Sequence, residues 1–123
     1  GMYVVNIPAA DLDARTGKIE KTVEAIQFID TCVGGIVEHV RAAGGVSILT
    51  SSHGGCEEMS NVVTGEPQGT ATANPVPFHL IADGLNGTQL RSGGSLADVA
   101  PTILALFGIE KPAEMTGSDL LAA

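Results

Sequence analysis

The segment Val46–Met59 constrains the fold more than any other part of the chain. Its apolar residues Val46, Ile48 and Leu49 lead into a polar tip that carries His53, two glycines and two carboxylates. This pattern predicts a buried strand whose carboxyl end opens into a loop. Ligands of open α/β sheets bind at the carboxyl ends of strands, so a ligand or metal site is expected at this tip.

Charge and composition exclude several classes of partner. Six Lys and Arg against fourteen Asp and Glu give a formal net charge of −8. Because there is no cationic field to gather phosphates, we expect neither nucleic acid nor an anionic membrane as a partner. Hydrophobic residues make up 44% of the chain and aromatic residues only 3%. The core is therefore expected to be aliphatic, which is typical of α/β packing.

The length of the chain indicates how many domains it forms, and its two cysteines indicate the cellular compartment. A chain of 123 residues predicts one domain, and we expect it over residues 2–123, with Gly1 interpreted as an expression scar. Cys32 and Cys56 lack CxxC spacing. Isolated thiols and the lack of a signal-peptide pattern before Tyr3 predict a reducing, cytoplasmic location.

Hydrophobic periodicity predicts a strand, a long helix and a second strand. Tyr3–Ile7 has the pattern of a buried strand, and a polar loop is expected over Asp11–Arg15. Apolar residues then keep a helical period from Thr16 or Gly17 to about Ala43, interrupted by Gly34-Gly35, which indicates close packing or a break. Together with the strand at Val46 this predicts a right-handed crossover between parallel strands. The predicted fold class is α/β, a mainly parallel sheet with flanking helices.

Two further elements are predicted in the second half of the chain. Val76–Ala82 has the pattern of a third strand. Ser95 and Asp98 have the spacing of a capping box, which predicts a helix from Leu96 to Phe107. Gly108 is expected to end it.

Six motifs, in order along the chain, resemble one protein family. They are Asn6–Gly17, Thr50–Gly55, Thr64–Pro67, Asn74–Phe78, Gly93–Thr102 and Pro112–Gly117. They are similar to the C-terminal part of the cofactor-independent (2,3-bisphosphoglycerate-independent) phosphoglycerate mutases, isomerases of glycolysis in the alkaline phosphatase superfamily. The resemblance implies an alkaline-phosphatase-like partial domain. In the family, two manganese ions and a serine nucleophile perform the chemistry.

The resemblance also implies five metal-ligand positions in this segment. Asp11 and His53 match ligands of the family, whereas Arg15, Ser52 and Ala71 replace a histidine, an aspartate and a histidine. The family's serine nucleophile and first aspartate ligand belong to a region that this segment does not match. The resemblance therefore implies a degenerate metal site, no catalytic residue in this chain and no activity of the chain alone. Manganese is expected only if the residual site still binds.

Several interpretations stay open on the residues alone. Arg15 could take over the charge of a metal by pairing with Asp11 or with a phosphate or carboxylate oxygen, which would make the chain a regulatory or small-anion-binding module. A divergent phosphomutase or phosphohydrolase, completed by a missing segment or a partner chain, is a second alternative. A remnant without a ligand is a third.

Two local predictions complete the sequence analysis. Cys56–Met59 is expected to form a short helical turn rather than a new site, because two adjacent carboxylates raise the pKa of a thiol. A buried-type strand at Tyr3–Ile7 without neighbours invites pairing with another copy, so a homo-oligomer is expected.

Overall fold

A short helix and a long helix begin the chain in the computed structural model, which describes residues 1–85 and 87–121. Helix α1 spans Ala9–Ala14 and helix α2 spans Ile19–Ala42. The prediction of a polar loop over Asp11–Arg15 is therefore wrong, because α1 covers most of that range. Ala9, Ala10, Leu12 and Ala14 favour a helix, and Asp11 in its first turn interacts well with the helix dipole.

Helix α2 confirms the longest element predicted from periodicity. It continues through Gly34-Gly35, and among the described residues no atom beyond the local helix backbone lies within 4 Å of a Cβ built at either residue. The pair therefore marks neither a break nor close packing. Thr22 and Ala25 are its buried residues, and α1 packs against the helix. Gly44 has a φ of 72° just past the C-terminal end, a conformation that glycine adopts without strain.

The sheet of the described residues contains two antiparallel strands. Strand β1, Ser47–Thr50, pairs with strand β2, Phe78–Ile81. The prediction of a mainly parallel sheet is therefore wrong for these residues, since the one strand pair is antiparallel. The predicted crossover from a strand at Tyr3–Ile7 is wrong too, because residues 3–7 form no strand. Tyr3 is 93% exposed, and a parallel strand is stable only with cover on both faces.

The chain divides into two compact units, Gly1–Asp83 and Gly84–Ala123. A 3₁₀ turn, Leu96–Asp98, leads into helix α3, Val99–Leu106. The capping box is confirmed, since Asp98 Oδ2 accepts from the Ser95 amide at 2.6 Å and Ser95 Oγ accepts from Ala97 N at 3.3 Å. The single domain expected over residues 2–123 stays a prediction.

Asp98 and Thr102 hold the C-terminal segment of this second unit. Asp98 Oδ1 accepts from the Ser118 amide at 2.7 Å and lies 3.2 Å from Arg91 Nη2. Hydrogen bonds from the amides of Ser118 and Ser95 hold the pKa of the Asp98 carboxyl below its ordinary value. Thr102, which is fully buried, accepts from Leu120 N at 2.9 Å.

None of the helices in the described ranges is both long and apolar enough to cross a membrane.

Candidate functional site

Helix α1 places the first two predicted ligand positions one helical turn apart. Arg15 Nε donates to Asp11 Oδ2 at 3.1 Å, and the two side chains are 54% and 57% exposed. An exposed helix pair at this spacing contributes only about 0.3–0.5 kcal/mol to stability. Its chemical consequence is larger, because one carboxylate oxygen that a metal would need already binds a permanent cation.

The next two positions follow directly after β1. His53 Nδ1 lies 3.1 Å from Ser52 Oγ, and the hydroxyl of Ser51 donates to the His53 carbonyl at 2.7 Å. All three residues are exposed. His53 therefore lies in a polar loop with a neutral hydroxyl beside it, at the position where the resemblance implies a charged aspartate ligand.

The fifth position, Ala71, lies beside the same loop. Its neighbour Thr72 donates its amide to the Gly54 carbonyl at 3.0 Å, in an isolated antiparallel bridge. Two residues earlier in the chain than Ala71, a Cβ built on Gly69 would lie 3.2 Å from Arg15 Cβ. The segment that carries Ala71 therefore contacts both the end of α1 and the loop after β1. The three parts of the chain that carry the five positions adjoin one another.

The donor set at these positions does not fit a pair of manganese ions. Arginine cannot donate a lone pair, alanine has no donor atom, and a serine hydroxyl is a poorer ligand than the aspartate of the family. Within residues 1–85 and 87–121 no group of three or more His, Cys, Asp or Glu could hold a metal ion. Asp11 and His53 alone are too few for such a site.

Glu57 is the best-anchored side chain near these positions, and the sequence analysis did not anticipate it. Its carboxylate accepts from the Thr72 hydroxyl, from the Gly55 amide at 2.6 Å and from Asn74 Nδ2 at 3.1 Å. The Thr72 hydrogen bond, followed by backbone hydrogen bonds, lowers the pKa of Glu57 to about 2. The ionised carboxylate thus ties the turn at Cys56-Glu57 to the segment 72–74. No local pattern could reveal this, since the donors lie 15 and 17 residues away.

Cys56 is not poised as a nucleophile. Burial, followed by the charges of Glu57 and Asp11, raises the pKa of its thiol above the ordinary value. Its Sγ lies 3.8 Å from the Ala10 carbonyl. Since the thiolate is the reactive form, a raised pKa leaves the thiol protonated at neutral pH. A turn is present at Cys56 and Glu57, where Glu58 N donates to the Gly55 carbonyl at 3.2 Å, but the short helical turn expected over Cys56–Met59 does not form.

The Glu57 network predicts a specific loss of stability in acid. A carboxyl whose folded pKa is lowered from 4.5 to about 2 stabilises the fold above pH 4.5 and loses that contribution as pH falls towards 2. We expect the thermal midpoint of Glu57→Gln to fall less than that of the wild type between about pH 6 and about pH 3. Thr72→Val should weaken the acid dependence in the same direction. Parallel midpoint curves for all three proteins would contradict the role of the carboxylate.

The family of the chain follows from a comparison with known protein families. The model of the family described as the Metalloenzyme superfamily matches residues 1–111. The chain belongs to the metalloenzyme superfamily. Its relatives in the superfamily include the 2,3-bisphosphoglycerate-independent phosphoglycerate mutase of Pseudomonas fluorescens (strain Pf0-1), 45% identical over 98% of this chain and 23% of the relative. The mutase of Psychrobacter arcticus is 46% identical over 99% of this chain and 22% of the relative.

A solved structure agrees with the family. A crystal structure of Leishmania mexicana phosphoglycerate mutase at low cobalt concentration matches 92% of this chain and 23% of that chain, with a TM-score of 0.78 and 26% identity. The resemblance to phosphoglycerate mutases and the alkaline-phosphatase-like α/β fold class, as a partial domain, are confirmed. The chain spans about a quarter of the length of these relatives. The ligand assignment of Asp11 and His53, with Arg15, Ser52 and Ala71 as departures, stays a prediction.

Proposed function

We propose that this phosphoglycerate mutase-like segment does not by itself catalyse the phosphoryl transfer of a mutase, because its metal site is degenerate. The observation that supports the proposal is the ion pair between Arg15 and Asp11, at two positions that the resemblance assigns to metal ligands. A fixed cation repels a divalent ion from the site it occupies. A metal would also have to break the ion pair before it could use Asp11.

The other three positions support the same proposal. His53 keeps an imidazole, but a hydroxyl group and a methyl group stand at the Ser52 and Ala71 positions. Metal affinity falls steeply when ligands are lost, because each remaining ligand must still be desolvated and deprotonated for fewer bonds. The cytoplasmic location and the lack of nucleic acid or membrane partners stay predictions.

A small-anion-binding role is the second candidate. It is favoured by the way in which Arg15 makes its ion pair, since Nε contacts Asp11 while the Arg15 side chain as a whole is 54% exposed. Among the described residues, no hydrogen bond uses the terminal nitrogens of Arg15. A phosphate or carboxylate oxygen can therefore bind there without displacing Asp11.

A manganese titration with restored ligands tests the proposal. The thermal midpoint of the wild type should not change with Mn²⁺ up to millimolar concentrations, and mutase activity should be absent. The triple variant Arg15→His, Ser52→Asp, Ala71→His should gain a manganese-dependent rise in its thermal midpoint. By mass action this rise corresponds to about 2.7 kcal/mol of stabilisation at a hundredfold excess over Kd. The same triple variant with His53→Ala is the matched control and should lose most of the gain.

The opposite result would identify a metalloenzyme. If Mn²⁺ stabilises the wild type and His53→Ala abolishes the effect, the residual site binds metal and the proposal is wrong. Inorganic phosphate without metal tests the second candidate. Stabilisation by phosphate that Arg15→Gln removes would support an anion site, whereas an equal response of both proteins would contradict it.

A further inference from the structure

Helix α2 carries an apolar stripe beside a groove. Ile19, Val23 and Ile26 are spaced i, i+4, i+7, which places them on one face of the helix. They are 68%, 47% and 45% exposed. A groove of about 270 Å³ lies between this face and residues 56–60, with the buried Met59 in its wall. Here we call Ile19, Val23, Ile26 and Met59 the α2 patch.

The shape of the α2 patch suits a second helix. A cavity of about 150 Å³ holds a benzene molecule, so a groove of about 270 Å³ has room for a leucine or phenylalanine side chain. The stripe beside the groove is a ridge of residues three and four apart, and such ridges pack into the grooves between side chains of another helix. The patch therefore fits a helix that turns its own apolar side chains towards α2.

Two carboxylates lie next to the α2 patch. Asp30 follows Ile26 by one turn and lies about 20° around the helix axis from Ile19, so it continues the same face. It is exposed, and among the described residues its carboxylate makes no hydrogen bond or ion pair. Glu57 lines the groove itself. Its hydrogen-bond donors are a hydroxyl and amides, all neutral, so this carboxylate keeps its full negative charge.

The basic residues at this end of α2 do not neutralise these carboxylates. Lys21 lies about 200° around the axis from Ile19, and its ammonium group is 3.9 Å from a Glu24 carboxylate oxygen. Lys18 precedes the helix, at the opposite end of the stripe from Asp30. The net charge of −8 adds a general attraction for cations. Charge complementarity therefore favours a partner that carries basic residues beside apolar ones.

We propose that the α2 patch binds a basic amphipathic helix of another protein. The apolar side chains of the partner pack against the stripe and enter the groove, and its Lys or Arg side chains pair with Asp30 and Glu57. This is the helix-in-groove mode of recognition, in which residues spaced i, i+4 and i+7 anchor the helix. The stripe and Asp30 together extend over about 16 Å of α2, which matches a partner of about three turns. The homo-oligomer expected from Tyr3–Ile7 stays a separate prediction.

Binding of a synthetic peptide to the full chain tests the proposal. The probe has about 14 residues, with leucines spaced i, i+4 and i+7 on one face and lysines on both flanks. In its charge-reversed form, glutamate replaces every lysine. Fluorescence anisotropy should show saturable binding of the lysine peptide that weakens as salt is raised. The charge-reversed peptide should not bind at protein concentrations up to about 1 mM.

Two pairs of variants locate the contact. Ile26→Gln should raise the Kd of the lysine peptide about tenfold. Phe28→Gln is its matched control and should not change the Kd, because Phe28 is 67% exposed and lies about 200° around the helix axis from Ile26. Asp30→Asn should raise the Kd about twofold to fivefold, the usual effect of an exposed ion pair. Glu38→Gln removes the same charge about 18 Å along the helix from Ile26 and should leave the Kd unchanged.

Ile19→Gln, at the most exposed position of the stripe, takes the place of Ile26→Gln if circular dichroism shows that the latter fails to fold. A wild type that does not bind the lysine peptide at about 1 mM would overturn the proposal. Equal binding of both peptides would overturn it as well, since the surface would then not select for charge. Equal Kd values for the stripe variant and the Phe28 variant would place the peptide elsewhere. If NMR signals of the α2 patch shift with protein concentration before peptide is added, a second copy covers the patch and the proposal is wrong.

Discussion

Replacing Gly117 by alanine should strongly destabilise the unit that contains α3. A Cβ at Gly117 would overlap the carbonyl oxygen of Ala97, lie 2.5 Å from the carbonyl carbon of that residue and 3.0 Å from Asp98 N. All three atoms belong to the backbone, so no side chain can rotate away. Overpacking typically costs about 1–3 kcal/mol, and we expect a loss of about 3 kcal/mol in the free energy of unfolding because the obstruction is rigid.

The backbone around Gly117 explains why the approach is so close. Ser118, the next residue, donates its amide to Asp98 Oδ1, and this hydrogen bond draws the C-terminal segment onto the start of α3. A methyl group at residue 117 would push the segment away and weaken that bond. We therefore expect amide hydrogen exchange at Ser118 and Leu120 to accelerate in Gly117→Ala, together with a lower midpoint in chemical denaturation.

Gly35→Ala is the matched control for this substitution. Gly35 lies inside α2, and in the part of the chain that the structure describes no atom beyond the local helix backbone lies within 4 Å of its Cβ position. Alanine favours a helix over glycine by about 1 kcal/mol, so this variant should be slightly more stable than the wild type. A Gly117→Ala protein with wild-type stability and exchange rates would show that the C-terminal segment is not packed as described.

Elements whose stability is encoded locally could be predicted from the sequence. The long helix α2 follows from apolar periodicity, and the start of the 3₁₀ turn before α3 follows from the spacing of Ser95 and Asp98. The strand at Tyr3–Ile7 could not be judged in this way, because its stability depends on layers that cover it. The antiparallel pairing of β1 with β2 also depends on residues about 30 positions apart, which periodicity does not connect.

The candidate site also has a part that the sequence predicted and a part that only the structure shows. The resemblance assigned Asp11, Arg15, Ser52, His53 and Ala71 by position in a motif, and the structure places their segments side by side. Motif matching could not show that Arg15 binds Asp11 rather than solvent. It also could not show the Glu57 network, because hydrogen bonds from Thr72 and Asn74 form only when the loop after β1 meets the segment 72–74.

Replacing Thr102 by valine should cost about 1–3 kcal/mol, the usual penalty for an unpaired buried polar group. The Thr102 hydroxyl donates to the Asp98 carbonyl at 2.7 Å and accepts from Leu120 N at 2.9 Å, and the residue is 0% exposed. Valine has nearly the same shape but cannot accept a hydrogen bond. The Leu120 amide would then be buried without its partner, which is the larger part of the expected cost.

Two substitutions separate the effect at Leu120 from the other consequences of losing a hydroxyl. Thr31 is an exposed helical threonine whose hydroxyl donates to the Gln27 carbonyl at 3.1 Å, the same i−4 contact that Thr102 makes with Asp98. Thr31→Val should therefore leave stability nearly unchanged. Thr102→Ser keeps both hydrogen bonds and should protect the Leu120 amide from exchange, whereas Thr102→Val should not. Similar unfolding midpoints for Thr102→Val and Thr31→Val would contradict the anchoring of the C-terminal segment by this hydroxyl. Among the described residues, the two threonines make the same i−4 hydrogen bond, and Thr102 differs by also accepting from the buried amide of Leu120.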